Sequence, residues 1–216
     1  MVNLFELAEA CLFQSSISEK LSISHNAKAL LDEGRLDFGD NKPVQLISAV
    51  KFPNKPVLLA PRHMPKRNLT SQDGVVAFFH AITHVEFMAI SLAWDLLYRF
   101  RGLPEQFYQD WLIVADEEAQ HFELLRQHLR ELNVEYGDLP AHGGLWDHAV
   151  ETADDLLARL ALVPRCMEAR GWNSKSCIYR CLAPACSPYD GKVSVVLRQM
   201  VFCRLPRAAI TRKKRK

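Results

Sequence analysis

Glu118 and His121 stand three residues apart in Asp116-Glu117-Glu118-Ala119-Gln120-His121-Phe122. In a helix that spacing stacks a carboxylate and an imidazole on one face, so both can reach the same metal ion. Their surroundings sharpen the point. Trp111, Val114, Ala115, Phe122, Leu125, Leu129 and Leu132 recur with helical period around them, which places Glu118 in the middle of an apolar line. A second line, Phe79, Ile82, Thr83, Ala89, Ile90, Ala93 and Leu97, has Glu86 at its centre. A third, Trp146, Ala149, Ala153, Leu157, Leu160 and Pro164, arrives at Glu168. A carboxylate on an apolar face is costly unless something neutralises it. A cation would do so and would keep clustered carboxylates ionised. Oxygen donors with one imidazole suit iron or manganese, and carboxylates can bridge two such ions. Glu86, Glu118, His121 and Glu168 are therefore the candidate metal ligands. Structural roles remain the alternative, most of all for Glu168, which lies near a helix end.

Other polar groups fit the site less well. His80 and His84 are four apart, yet both lie off the Glu86 face, which favours surface or supporting roles. His128 shares the face of His121 but is seven residues away, roughly 10 Å along a helix. Glu117 points off the apolar line. Phe107, Tyr108 and Trp111 read as core packing.

Long helices must position these residues. One is expected from Thr70, with Thr70 and Asp73 spaced as a capping box, to about Phe100. Gly102 and Pro104 then separate it from a second helix running to Asn133. A glycine-rich loop at 134–144 leads to a third, about Leu145 to Arg170, kinked at Pro164 and closed by Gly171. Each would have roughly 25–30 residues, against a globular average of about 11–12. With short connections they form an all-α antiparallel helical bundle. Residues 1–36 read as an N-terminal helical extension, with helices over Val2–Gln14 and Ile17–Leu31. Residues 37–70, with Pro43, Pro53, Pro56, Pro61 and Pro65, read as an extended strap. The core helices occupy 71–171.

The chain has 216 residues, 49% of them hydrophobic and 24% charged, and a net charge of +2. These values fit one ordinary globular domain. The balance hides an asymmetry. After Gly171 there are eleven basic residues and one acidic residue, Asp190. That segment carries +10, and subtracting it from the total of +2 leaves −8 for the rest. Four of the six cysteines also lie there: Cys177, Cys181, Cys186 and Cys203. Their spacing is not that of a zinc site. The segment 172–216 thus reads as an atypical basic tail. Its abrupt change of composition is what an out-of-frame translation product would show. No leader pattern opens the chain, and no apolar run is expected to approach the length of a membrane span. A cytoplasmic protein with reduced thiols is the expectation.

Several motifs together resemble a bacterial ferritin-like family of unknown function, distantly similar to the tRNA-hydroxylating MiaE enzymes. They are His80-Ala81-Ile82-Thr83-His84-Val85-Glu86-Phe87-Met88-Ala89-Ile90, Phe107-Tyr108-Gln109-Asp110-Trp111-Leu112, Glu117-Glu118-Ala119-Gln120-His121-Phe122, Tyr136-Gly137-Asp138-Leu139-Pro140-Ala141-His142 and Leu160-Ala161-Leu162-Val163-Pro164-Arg165-Cys166-Met167-Glu168-Ala169-Arg170-Gly171. The likeness covers about residues 1–171. It implies a four-helix ferritin-like core and a di-iron site, with Glu86 from the first core helix, Glu118 and His121 from the second and Glu168 from the third. It also implies a fourth helix bearing another Glu-x-x-His. Here no Glu or His follows Glu168, so the fourth helix is missing or replaced. Three readings stay open. The first is a di-iron oxidoreductase or hydroxylase with an incomplete site in this chain. The second is a non-catalytic ferritin-like scaffold, whose open groove would favour homo-oligomers. The third is a nucleic-acid binder acting through the terminal Arg212–Lys216.

Overall fold

A computed structural model describes residues 1–39, 44, 51–65 and 68–162. The described chain is mostly helical. Its helices are α1 (Leu4–Phe13), α2 (Ile17–Asp32), α3 (Gln72–Arg99), α4 (Glu105–Glu131), α5 (Gly144–Glu151) and α6 (Leu156–Leu160). Two short strands, β1 (Val2–Asn3) and β2 (Leu36–Asp37), pair in parallel, and a single 3-10 turn covers Pro61–His63. The chain gathers into two compact units. One contains Met1–Pro53 and Ala89–Ala119; the other contains Asn54–Met88 and the described residues from Gln120 onward. Both α3 and α4 run through the two units.

The first unit is organised by its caps. The Asn3 side chain accepts from the backbone N–H groups of Phe5 and Glu6, and Ser16 accepts from that of Glu19, so α1 and α2 both start on side-chain oxygens. α1 buries Leu4, Phe5, Ala8, Cys11 and Leu12. α2 turns a partly polar face inward: Lys20, Leu21, Ser24 and Ala27 are buried. Each buried polar group has a partner. Lys20 Nζ donates to the Cys11 carbonyl at 2.6 Å, and Ser24 Oγ accepts from Trp94 Nε1 at 2.9 Å. The Cys11 carbonyl belongs to the last turn of α1 and also accepts from the Gln14 N–H at 3.3 Å. The α3–α4 connection is fastened by Tyr108. Its hydroxyl donates to the Phe100 carbonyl and accepts from the Leu103 N–H, while Gly102 takes the left-handed conformation at φ 69°. Phe107, Tyr108 and Trp111 pack ring against ring, as core aromatics do.

In the second unit the pairing of α3 with α4 follows from two contacts. Phe79 packs on His128 with ring centroids 4.5 Å apart, and Glu86 lies 3.8 Å from His121. As α3 advances, its partner on α4 recedes, so the helices run antiparallel. The start of α3 is shifted by one residue from the expected capping box. Ser71 Oγ accepts from the Gly74 N–H, while the Thr70 hydroxyl is turned back onto Asn68 Oδ1. The chain from Asn54 meets the loop before α5 at a bridge between Leu58 and Ala141.

Two expectations are corrected. The third long helix, expected from Leu145 to Arg170, breaks after Glu151 and restarts as α6 at Leu156. Asp155 causes the restart, since its carboxylate accepts from the Ala158 N–H as an N-cap. Arg159, 1% exposed, spans the break by donating to Thr152 Oγ1 and the Ala149 carbonyl. The break changes the helical phase: Leu157, expected on the apolar line, is 77% exposed. Pro164, Glu168 and the whole basic tail lie outside the described residues. The second correction concerns α3, which is long and apolar enough by length and composition to cross a membrane. More than half of that stretch is buried, and the helix carries the buried polar residues His80, Thr83, His84, Glu86, Ser91 and Asp95. It therefore reads as a core helix.

Candidate metal centre

α3 supplies Glu86 to the site, and α4 supplies two ligand types a single turn apart. Glu86 is buried, and Glu118 and His121 are half-buried. One ligand atom from each of these residues falls within 4.8 Å of the other two. His121 Nδ1 and Glu86 Oε2 are 3.8 Å apart. Around one ion with metal–ligand bonds of about 2.1 Å, donors lie roughly 3 Å apart when adjacent and 4.2 Å apart when opposite. Bringing His121 Nδ1 and Glu86 Oε2 from 3.8 Å to the adjacent-donor spacing takes about 0.8 Å of side-chain movement. The donor set, two carboxylates and one imidazole, is also chemically suited to iron or manganese. Three of the four expected ligands are thus brought together, and Glu168 falls outside the described residues.

Phe87 and Phe122 follow Glu86 and His121 directly in sequence, and their rings pack with centroids 5.5 Å apart. Both also pack on Tyr136, at 5.7 and 5.0 Å. Tyr136 had no role in the sequence-based expectations. It sits in the α4–α5 loop, and the same loop occupies His80 and His84, the two histidines four apart on α3. His80 Nε2 accepts from the Gly137 N–H at 2.9 Å. His84 Nε2 lies 3.3 Å from the His142 carbonyl, and its Nδ1 lies 2.9 Å from the Tyr136 hydroxyl. A carbonyl can only accept, so Nε2 carries the hydrogen and Nδ1 accepts from Tyr136. Both imidazoles are buried, which corrects the expected surface option and leaves a supporting role. Burial draws His84 down to about 4 and outweighs the opposing His142 carbonyl; the nearby His142 and His80 add to the fall. His84 is accordingly neutral at ordinary pH. Burial also pushes the Tyr136 phenol upward, so it stays a donor.

The loop is fixed at its other end by charge. Glu135 accepts from Arg126 Nε and Arg130 Nε, both at 2.8 Å, and from the Tyr136 N–H. Partial burial pushes the Glu135 carboxyl up, but these donors together overcome it and hold the group at about 2. Gly137 adopts φ 106°, and a Cβ there would stand 2.9 Å from Lys55 Cβ. Asp116 pairs with His25 Nδ1 at 2.6 Å in the first unit. His128, too far along α4 for the site, packs on Phe79 and lies 3.6 Å from Glu131.

Comparison with known proteins places these residues in a family. The chain matches the family described as "Protein of unknown function (DUF455)" over residues 13–188. It therefore belongs to that family. All four expected ligands fall within the match. The match also passes the boundary read at Gly171, so the likeness does not stop where the composition changes. An uncharacterised protein of Haemophilus influenzae is 46% identical over 145 residues, covering 64% of this chain. The chain spans about half the length of that curated relative. No solved structure matches.

Proposed function

We propose that the chain is a metal-binding helical protein in which Glu86, Glu118 and His121 hold one iron or manganese ion. The convergence of their three donor atoms within 4.8 Å carries this reading. Each residue has a distinct part. Glu118 and His121 offer a rigid pair from one helical turn, and Glu86 closes the set from the antiparallel helix. Phe87 and Phe122 place apolar surface directly beside two ligands, which limits water and strengthens the electrostatic attraction to a cation.

The finer reading follows the resemblance to ferritin-like oxidoreductases and hydroxylases. A bound iron would supply one-electron and oxygen chemistry, and this chain would hold, orient and shield it. The reading commits to a single ion because three donors converge on one point among the described residues. Elemental analysis of the purified full chain after loading with Fe(II) or Mn(II) is the test. About one ion per chain, abolished by His121→Ala, is the expected result. Near two ions restores the di-iron oxidoreductase, and none leaves the non-catalytic scaffold.

A further inference from the structure

The α4–α5 loop grips α3 through side chains next to the ligands. Within the second unit, Tyr136 touches four aromatic rings of two helices. It stacks on His80 at 5.4 Å and His84 at 6.2 Å, and packs on Phe87 and Phe122. His80 precedes Glu86 by less than two turns, His84 by half a turn, and Phe87 is its neighbour. Phe122 is the neighbour of His121. One ring is therefore braced against residues flanking a ligand on each helix. The hydroxyl adds direction, since the Tyr136–His84 hydrogen bond joins the loop to α3 at 2.9 Å. The Gly137–His80 bond repeats the attachment one turn earlier. Positive φ at Gly137 brings its N–H to that imidazole where a side chain would meet Lys55.

We propose that Tyr136 and His84 are positioning residues of the metal centre, and that their hydrogen bond sets the spacing between Glu86 on α3 and His121 on α4. This rests on the metal-binding reading above. A ring packed between two helices fixes their separation, and a directional bond fixes the rotation of α3 about its axis. Glu86 must keep both within about half an ångström to share an ion with His121. Groups that orient ligands in this way typically change metal affinity by about 10–100-fold when lost.

The experiment measures Mn(II) affinity and metal-free thermal stability in the full chain. Tyr136→Phe keeps the ring and removes the donor; His84→Leu removes the acceptor. Both should weaken Mn(II) binding by about tenfold or more. His84→Asn retains a carbonyl oxygen near the Nδ1 position and should recover most of the affinity lost in His84→Leu. Variants that melt lower yet bind Mn(II) like the parent would overturn the positioning role and leave the metal site standing. If His84→Asn binds as weakly as His84→Leu, the hydrogen bond is not the cause. A parent chain that binds no Mn(II) overturns the metal reading, and this inference with it.

Discussion

Glu118→Gln should make the metal-free protein more stable and nearly blind to metal. Glu118 and Glu86 present carboxylate oxygens within 4.8 Å of each other. Two full charges at that limit repel by about 3.5 kcal/mol at an effective dielectric of about 20. His121, 3.8 Å from Glu86, offsets part of this, so relief of roughly 1–3 kcal/mol is expected on removing one charge. At about 2–4 °C per kcal/mol for a chain of this size, the metal-free Tm should rise by about 2–12 °C. The parent, in contrast, should gain about 2.7 kcal/mol when Mn(II) is present at about 100 times its Kd. That corresponds to roughly 5–11 °C. Loss of a ligand weakens binding by at least about 10–100-fold, so the same Mn(II) concentration should give the variant no more than about 0.4–1.4 kcal/mol. Differential scanning calorimetry with and without Mn(II) reads both quantities. A fall in metal-free Tm for Glu118→Gln, with a parent indifferent to Mn(II), would show that Glu118 is a structural carboxylate and that its place in the apolar line has another cause.

Three further outcomes follow from groups away from the ligands. Trp94→Phe removes the donor to Ser24 in the first unit and should cost about 1–2 kcal/mol in urea unfolding; no loss would mean that Ser24 re-pairs. Gly137→Ala forces a Cβ to within 2.9 Å of Lys55 Cβ at φ 106° and should cost about 1–3 kcal/mol, read as a lowered Tm. Glu135 is held at about 2, below its unfolded value of 4.5. Its stabilising effect is therefore fully present above pH 4.5 and is lost as pH falls through about 2. Because its side chain is 39% exposed, the effect is about 1 kcal/mol. The Tm gap between parent and Glu135→Gln should narrow across that acid window, and a gap independent of pH would contradict the assignment.

Much of the candidate site could be read from helical period alone. Glu86 and Glu118 interrupt apolar lines, and an interruption by a carboxylate is informative because burial makes it costly. The ends of α3 and α4 were similarly legible, since Gly102 and Pro104 punctuate the chain. The break between α5 and α6 was not, although Asp154-Asp155 inside an apolar pattern is the signal of an N-cap. Apolar spacing cannot register a helix that stops and restarts in a new phase. Lys20 was hidden for a different reason. Its aliphatic stem buries like a hydrophobe, and its amine finds a backbone acceptor that no side-chain pattern encodes. The Tyr136–His84 contact joins residues 52 apart, beyond the reach of any local periodicity.

The seam between α1 and α2 has a consequence for the reactivity of Cys11. Its thiol is fully buried beside Lys20, and burial pushes it up to about 12 despite the nearby amine. Thiolate is the species that alkylating reagents attack, so Cys11 reacts only when the two N-terminal helices come apart. Its labelling rate, followed by peptide mass spectrometry, is therefore a timer for opening of that seam.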